Sequence, residues 1–234
     1  MKVELLTHTP EPELVVAAAA RLCYSNSSIE ALLEKSRVER EAFLEKITSL
    51  GHLSVLEHVS FSFGVEGISR ACSHQLVRHR LASYSQQSQR YVSHRQRFEA
   101  VTPASIEQRP ELKERYDALL DDIQALYSDL LEAGVPAEDA RFVLPNAATT
   151  KIVVTMNGRE LLHFFSLRCC RRAQWEIQEL AKRMLVLVKP LAPILFLSAG
   201  PGCVRGKCPE GDMTCGAIND VRAEFKALGK AAEE

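Results

Sequence analysis

Arginine side chains are concentrated in two stretches of the chain that contain almost no acidic residues. The first runs from Gly67 to Phe98 and has no Asp or Glu. Its basic residues are Arg70, Arg78, Arg80, Arg90, Arg95 and Arg97, with His74, His79 and His94 beside them. The second has Glu160 as its single acid and holds Arg141, Lys151, Arg159, Arg168, Arg171 and Arg172. A guanidinium presents a planar fork of N–H donors that matches phosphate oxygens, so the sequence predicts a site for a phosphate-bearing ligand.

Neutral hydrogen-bonding side chains lie among the arginines of the first stretch. Between Arg78 and Tyr91 the chain carries Ser83, Ser85, Gln86, Gln87, Ser88 and Gln89. Amide and hydroxyl groups suit the edge of a base or a sugar. An alternative interpretation is a surface loop whose arginines pair with acidic residues elsewhere in the fold. The neutral groups favour a nucleotide ligand over that alternative.

Two other functions are compatible with parts of this stretch. Ser88 and His79 could act as nucleophile and base of a hydrolase, but there is no Gly-x-Ser-x-Gly motif and no nearby acid to orient the imidazole. Tyr84, Tyr91 and Phe98 could stack on RNA bases beside phosphate-neutralising arginines. The formal net charge of −1 argues against a wholly basic surface. An RNA-binding module is therefore kept only as the alternative to a site for a single nucleotide.

The triplet Arg78-His79-Arg80, followed after seven residues by Ser88, resembles the signature of flavin-dependent thymidylate synthases. These enzymes methylate dUMP with methylenetetrahydrofolate, FAD and NADPH. The resemblance extends to other segments: His52, Ser54, Glu57-His58, Gln75, Arg141-Phe142-Val143-Leu144-Pro145, Asn157-Gly158-Arg159, Arg168 and Gln174-Trp175-Glu176. It implies a catalytic domain over residues 1–200, followed by a Gly/Cys-containing tail over residues 201–234.

The resemblance also implies which residues bind the flavin. The matching positions are Ser54, Arg78, His79, Arg80, Gln86, Asn157, Gly158, Arg159 and His163. Ser54 matches a residue that touches FAD from a neighbouring subunit. Because Arg159 and His163 are four residues apart, a helix that begins at Asn157 would place both on one face.

The dUMP-binding positions implied by the resemblance overlap with the flavin positions. They are Gln75, Leu76, Val77, Arg78, Gln86, Gln87, Ser88, Gln89, Arg90, Arg141 and Arg168. Arg168 matches the residue that stabilises uracil after loss of its N3 proton in this family. A guanidinium stays positive at every working pH and stabilises a developing anion. Arg168 is therefore the predicted catalytic residue.

The chain departs from the family pattern at three positions. Many members have Asn-Glu where this chain has Ser85-Gln86, so position 86 offers an amide in place of a carboxylate. His163 stands where others have Asn, and Arg172 where some have His. These substitutions change the number of hydrogen-bond donors more than the shape of the site.

The resemblance and the composition give further expectations about partners and location. The resemblance implies a homotetramer with active sites shared between subunits, and electrons from NADPH delivered through FAD. No apolar run approaches the roughly 18 residues of a membrane span, and the start lacks a signal-peptide pattern. Seven cysteines, an odd number, fit a reducing compartment. We therefore expect a cytoplasmic enzyme with no nucleic-acid or membrane partner.

Three cysteines in the tail could ligate a metal. Cys203, Cys208 and Cys215 are separated by four and six residues, which does not match the Cys-x-x-Cys spacing of common zinc sites. Thiols in a Gly-rich surface loop are the expectation, with zinc as the alternative.

The elements that must position these residues follow from periodicity and capping patterns. The sequence predicts strands over residues 1–8, 59–66 and 149–156. It predicts helices over residues 11–23, from a capping pattern that begins at Ser27, over residues 68–78, 110–133 and 173–188, and from Asn157 onward, with a third helix ending near Gly51. A polar loop is predicted after residue 78. The expected fold is α+β: a single domain with a small antiparallel or mixed sheet packed by several helices, one of them long and amphipathic.

Overall fold

The computed structural model describes residues 1–92 and 97–228. Its strands are β1 (Lys2–His8), β2 (Ser60–Ser69), β3 (Ala82–Gln86) and β4 (Thr149–Asn157). Its helices are α1 (Pro12–Leu22), α2 (Ile29–Val38), α3 (Glu41–Ser49), α4 (Arg70–Leu76), α5 (Ala104–Glu107), α6 (Pro110–Glu132), α7 (Ala137–Ala140), α8 (Gly158–Arg168), α9 (Trp175–Val188) and α10 (Ile218–Ala227). The α+β class is confirmed. His94 and Arg95 of the first basic stretch lie outside the described residues.

The four strands form one sheet in the order β1-β2-β4-β3. Hydrogen bonds at the strand ends show the antiparallel direction. Thr9 N donates to Ser60 O over 3.0 Å, so the end of β1 meets the start of β2. Gly158 N donates to Val59 O over 2.9 Å, so the end of β4 also meets the start of β2.

Strand β3 corrects the predicted polar loop after residue 78. Its sequence, Ala-Ser-Tyr-Ser-Gln, has no buried apolar face, and its residues are half-buried or exposed. Gln87 N, just after the strand, donates to Lys151 O of β4 over 2.9 Å. The strand lies at the edge of the sheet, where pairing with β4 stabilises a segment that its side chains alone do not mark as a strand.

Serine caps shift two predicted element boundaries. Strand β2 continues to Ser69, whose Oγ accepts from Cys72 N over 3.0 Å. This cap makes α4 begin at Arg70, after the predicted start at residue 68. Ser28 Oγ accepts from Ala31 N over 3.2 Å, so the cap of α2 is Ser28, one residue after the predicted Ser27. In both cases the cap satisfies an N–H group that lacks a partner within the helix.

The chain divides into two compact units. The first unit comprises residues 1–2, 65–78 and 84–153. Its core includes Phe98, Leu120 and Ala148, against which Tyr116 and Ile123 of the long helix α6 pack. This helix confirms the predicted amphipathic element, and it ends before Gly134, whose φ is +83°.

The second unit comprises residues 3–64, 79–83 and those from Val154 onward. Its core contains the rings of Phe61, Phe165 and Phe196, whose centroids lie 5.6 and 6.1 Å apart in edge contacts centred on Phe196. Helix α8 follows β4 directly, and α9 follows α8 after a short connection.

Four cysteines lie within helices or close to helix ends. Cys72 lies in α4, whereas Cys23 and Cys169 directly follow the last residues of α1 and α8, and Cys170 comes one residue later. Among residues 1–92 and 97–228, no helix combines the length and the apolar character that crossing a membrane requires.

Candidate active site

Helix α8 begins at a well-formed cap in the second unit. Asn157 Oδ1 accepts from Glu160 N over 2.8 Å, as the spacing of these two residues predicted. A Cβ added to Gly158 would lie 2.9 Å from Leu56 O and 3.1 Å from Val59 Cγ2. Glycine at this position therefore lets the first turn of α8 pack directly against the 3-10 turn Leu53–His58 and Val59, which follows it.

Three side chains of the second unit form a hydrogen-bonded chain. Glu160 Oε1 lies 3.0 Å from Nδ1 of His79, and Arg168 Nε donates to Nε2 of His79 over 3.0 Å. The side chains of His79 and Glu160 are only 3% and 5% exposed. Glu160 and Arg168 lie at the two ends of α8, and His79 comes from the segment before β3. The structure therefore brings together His79 and Arg168, both of which the sequence predicted as site residues.

The hydrogen bonds define the protonation state of His79. Arginine donates N–H groups and has no acceptor, so Nε2 of His79 must accept and carries no proton. The proton then lies on Nδ1, which donates to Glu160. Burial lowers the pKa of His79, the hydrogen bond to Glu160 acts to raise it, and the charge of Arg168 lowers it. The net lowering of this pKa agrees with a neutral imidazole.

Two further rings contact this imidazole. The centroid of the Phe164 ring lies 4.9 Å from that of His79, with an angle of 80° between the ring planes. The His163 ring lies 5.8 Å away at 62°. Phe164 is buried and His163 is exposed. His163 therefore contacts the buried ring of His79 and also has an exposed surface that a ligand can reach.

The ligand atoms of His79, Glu160 and His163 lie within 4.8 Å of one another, a set of metal-ligating types found among residues 1–92 and 97–228. A neutral histidine that binds a metal through one ring nitrogen carries its proton on the other. If a metal ion bound Nδ1 of His79, the proton would lie on Nε2. This N–H would then face the N–H of Arg168, which is also a donor. The nearby guanidinium would also repel a cation. The set therefore fits a hydrogen-bonded chain and not a metal centre.

Other predicted flavin residues of the second unit lie at its surface. Arg80 and Ser54 are exposed, Ser54 within the 3-10 turn Leu53–His58. The side chain of Arg159 is 51% exposed, and its Nη1 pairs with Glu57 Oε1 over 2.5 Å. A guanidinium has five N–H donors, so this pair leaves most of the hydrogen-bonding capacity of Arg159 for a ligand.

In the first unit, Gln86 lies at the end of β3 and contacts two hydroxyl groups. Its Nε2 donates to Ser73 Oγ over 3.0 Å and to Thr150 Oγ1 over 3.2 Å. Nη1 of Arg70 donates to the same Thr150 oxygen over 3.5 Å. The amide orientation is therefore determined by two buried hydroxyls, and the network connects Gln86 to a basic residue.

Arg70 and Arg141 form a positively charged region in the first unit. Burial lowers the pKa of Arg70, and the like charge of Arg141 lowers it further. Arg141 Nε donates to Glu138 O over 2.9 Å. The mutual repulsion of two guanidiniums is relieved by an anion, so this region suits a phosphate.

Two arginines of the first basic stretch pair with acidic residues, as the alternative interpretation of a surface loop requires. Arg90 Nε donates to Glu138 Oε2 over 2.7 Å. Arg97 Nη2 lies 2.6 Å from Asp121 Oδ1. Both pairs are about half exposed, so solvent screens them and a stronger anion can replace the carboxylate.

The remaining predicted dUMP positions lie in α4 and around β3 of the first unit. Leu76 is fully buried, and its carbonyl accepts from Tyr84 Oη over 2.9 Å. The others are Gln75, Gln87, Ser88 and Gln89, which are half-buried, and Val77 and Arg78, which are exposed. Their contacts to a nucleotide stay predictions.

The sequence did not identify Glu160, Ser73 or Thr150 as site residues. Glu160 carried a signal, because it is the single acid in the second basic stretch, but its position suggested only a helix cap. Ser73 and Thr150 carried no signal in the sequence. Their contacts to Gln86 depend on residues 13 and 64 positions away.

The tail cysteines differ in exposure. Cys203 is buried within the 3-10 turn Gly202–Val204, Cys208 is half-buried and Cys215 is exposed. Their placement in a surface loop was therefore wrong for Cys203. Arg222, on α10, donates from Nε to Cys203 O over 2.9 Å and from Nη2 to Gly206 O over 2.7 Å. This helix therefore fixes the backbone of the cysteine-bearing segment.

Comparison with known proteins gives one consistent result. A family model described as thymidylate synthase complementing protein matches residues 4–194. The chain is 59% identical over 230 residues to a flavin-dependent thymidylate synthase of Geobacter sulfurreducens, covering 97% of this chain and 99% of that protein. It is 51% identical over 233 residues to the enzyme of the same name from Nitratidesulfovibrio vulgaris, with 92% and 94% covered. For that of Clostridium tetani the identity is 46% over 239 residues, with 95% and 96% covered. The arginine-rich signature, the site around His79 and these similarities lead to one conclusion: the chain belongs to the flavin-dependent thymidylate synthase family.

Proposed function

We propose that this chain converts dUMP to dTMP, with methylenetetrahydrofolate as the one-carbon donor and NADPH-reduced FAD as the electron source. Family membership supports the overall reaction. The structural observation that carries it is the hydrogen bond from Arg168 to the buried His79, because it orients a permanently charged donor.

The residues of the second unit fit a flavin nucleotide. Arg80, Arg159 and His163 are exposed, and each offers N–H donors suited to a pyrophosphate or to ring oxygens. Asn157 and Gly158 hold the start of α8, so they act by placing Arg159. We assign FAD binding to these residues with Ser54, Arg78, His79 and Gln86. When bound, FAD carries the two electrons that reduce the transferred one-carbon unit.

The chemistry assigned to Arg168 is stabilisation of the uracil anion. Loss of the N3 proton raises electron density at C5, where the new carbon bond forms. A guanidinium oriented before the substrate arrives stabilises this anion without reorganisation. Its hydrogen bond to the neutral His79 ring orients the guanidinium before the substrate binds.

For dUMP binding we propose the positions that the sequence predicted, Arg168 included. Arg70 and Arg141 give a positive region suited to a phosphate, and the ordered amide of Gln86 suits a neutral polar edge. The other proposed contacts are Gln75, Leu76, Val77, Arg78, Gln87, Ser88, Gln89 and Arg90. Since Gln86 takes the place of a carboxylate found in many relatives, its role is hydrogen bonding alone.

We further propose a homotetramer with shared active sites. Leu112, Leu119 and Leu126 of α6 are 47%, 56% and 48% exposed and repeat every seven residues. An exposed leucine stripe of this period suits contact with another helix. Replacement of Leu119 with Glu should reduce the mass measured by light scattering. A variant that keeps the mass of the wild type would contradict the use of this face.

We propose that the catalytic domain lies within residues 1–200 and that the enzyme is cytoplasmic. The later segment has a supporting role, because Phe225 of α10 packs against Gly200, where an added Cβ would lie 2.7 Å from its ring. Seven cysteines without disulfides suit a reducing compartment.

The decisive experiment is turnover of the purified protein with dUMP, methylenetetrahydrofolate and NADPH, with and without added FAD. We expect dTMP to form only when flavin is bound, and the protein to be yellow. Colourless protein that forms no dTMP and binds RNA with strong salt dependence would instead support the RNA-binding module.

A further inference from the structure

We propose that Glu160 is a positioning residue for the reaction: it fixes the tautomer of His79, so that Nε2 of His79 accepts the hydrogen bond that orients Arg168. The proposal rests on the proposed function, in which Arg168 is the catalytic residue. It concerns residues of the second unit alone.

The geometry of Glu160 differs from that of an ordinary helix-capping glutamate. In a capping box the side chain of this residue would return to the backbone N–H of the cap. Here Glu160 N donates to Asn157 Oδ1 over 2.8 Å, which is the other half of that motif. The Glu160 carboxylate instead lies 3.0 Å from Nδ1 of His79, and its side chain is 5% exposed. The buried carboxylate therefore has a partner outside its own helix.

Only one arrangement of protons satisfies both hydrogen bonds of His79. If Nε2 carried a proton, its N–H would point at the N–H of Arg168 and two donors would face each other. This excludes both the Nε2–H tautomer and the doubly protonated ring. An acceptor at Nδ1 is what makes the remaining tautomer favourable, and Glu160 provides it.

Loss of this acceptor has a consequence at Arg168. The Nδ1–H of the buried ring would then lose the acceptor that holds it, so the ring could turn and its Nε2 would no longer accept from Arg168 in the same direction. A misplaced donor stabilises a developing anion poorly, because electrostatic stabilisation depends on orientation before reaction. Glu160 thus controls the direction of Arg168 without touching the substrate.

Two variants separate the acceptor from the charge. Glu160→Gln and Glu160→Met both remove the negative charge near the start of α8 and have similar length. Gln retains an oxygen that accepts from Nδ1–H, whereas Met does not. We expect kcat of Glu160→Gln to stay within about tenfold of the wild type and kcat of Glu160→Met to fall by about 100-fold, the loss typical of a displaced anion-stabilising donor.

A matched pair at Glu30 controls for general effects at a helix start. Glu30 lies in the first turn of α2, and it is exposed. Glu30→Gln and Glu30→Met should have equal turnover. If the Glu160 pair also had equal turnover, the proposal would be overturned.

The tautomer can be read without any turnover. With ¹⁵N-labelled histidine in the folded protein, His79 should show a protonated Nδ1 and an unprotonated Nε2, and the variant Glu160→Gln should keep this pattern. A protonated Nε2 in the wild type would overturn the proposal even if Glu160→Met fails to fold. Absence of dTMP formation by the wild type would instead refute the proposed function and leave the tautomer result standing.

Discussion

Arg168 Nε donates to Nε2 of His79 over 3.0 Å, although 89 residues separate the two in the chain. The contact joins the last residue of α8 to a buried ring in the segment before β3, and this ring orients the guanidinium. A guanidinium oriented in this way presents a permanently charged donor in a fixed direction.

Replacement of Arg168 with Ala should abolish most dTMP formation while FAD stays bound. Loss of one donor that stabilises a developing anion typically reduces kcat by about 100- to 1,000-fold. The measurement is dTMP formation by the reduced enzyme, with flavin content taken from absorbance. Arg183→Ala is the control, because Arg183 pairs with Glu179 on the exposed face of α9 over 2.7 Å. Unimpaired turnover of Arg168→Ala would remove Arg168 from its role.

Replacement of Gly158 with Ala should destabilise the start of α8. The added Cβ would lie 2.9 Å from Leu56 O, a backbone atom that cannot move alone. Overpacking of this kind costs about 1–3 kcal/mol of the free energy of unfolding, measured by urea denaturation. Gly206→Ala is the matched control, since a Cβ there meets nothing within 4 Å. Equal stability of the two variants would contradict the close packing of α8.

Replacement of Arg159 with Ala should weaken FAD binding more than it weakens the fold. Its half-exposed pair with Glu57 contributes roughly 0.2–1 kcal/mol to stability. A charge-assisted bond to a phosphate contributes about 1.5–3 kcal/mol, so the Kd for FAD should rise about tenfold or more. Quenching of flavin fluorescence gives this Kd.

Glu57→Gln tests the same pair from the other side. It removes a carboxylate that competes with the anionic cofactor for Arg159, so FAD should bind equally well or more tightly. Weaker FAD binding in Glu57→Gln, together with unchanged binding in Arg159→Ala, would place the cofactor elsewhere.

The stability of the second unit should fall at acidic pH in part because of Glu224. Burial acts to raise the pKa of Glu224, but Lys182, 2.5 Å from its carboxylate, and Arg171 outweigh burial and lower it. The folded-state pKa is thus below the ordinary value of 4.5. The stabilisation is complete above that ordinary value and is lost as the pH falls through the lower folded-state pKa.

Urea denaturation between neutral and acidic pH checks the effect of Glu224. Glu224→Gln should be less stable than the wild type at neutral pH, and the difference should shrink as the carboxylate of the wild type is protonated. A difference that stays constant across this range would contradict the assignment.

Local patterns in the sequence determined several elements and much of the chemistry. The Asn157 cap, the three- and four-residue period of α6 and the stop at Gly134 each depend on residues within a few positions, and the structure has all three. The clustering of arginines is also apparent from the sequence alone, and it indicated a phosphate-bearing ligand. These features follow from the sequence because short-range hydrogen bonding and side-chain periodicity act within a single segment.

Tertiary structure alone decided what depends on distant partners. The polar segment Ala82–Gln86 is a strand because β4 supplies its hydrogen bonds. Glu160 looked like a capping residue, and its carboxylate faces His79 only because the fold brings together positions 81 residues apart. Burial then removes water as a competing hydrogen-bond partner, so the tautomer of His79 and the direction of Arg168 are determined by contacts that no local pattern in the sequence encodes.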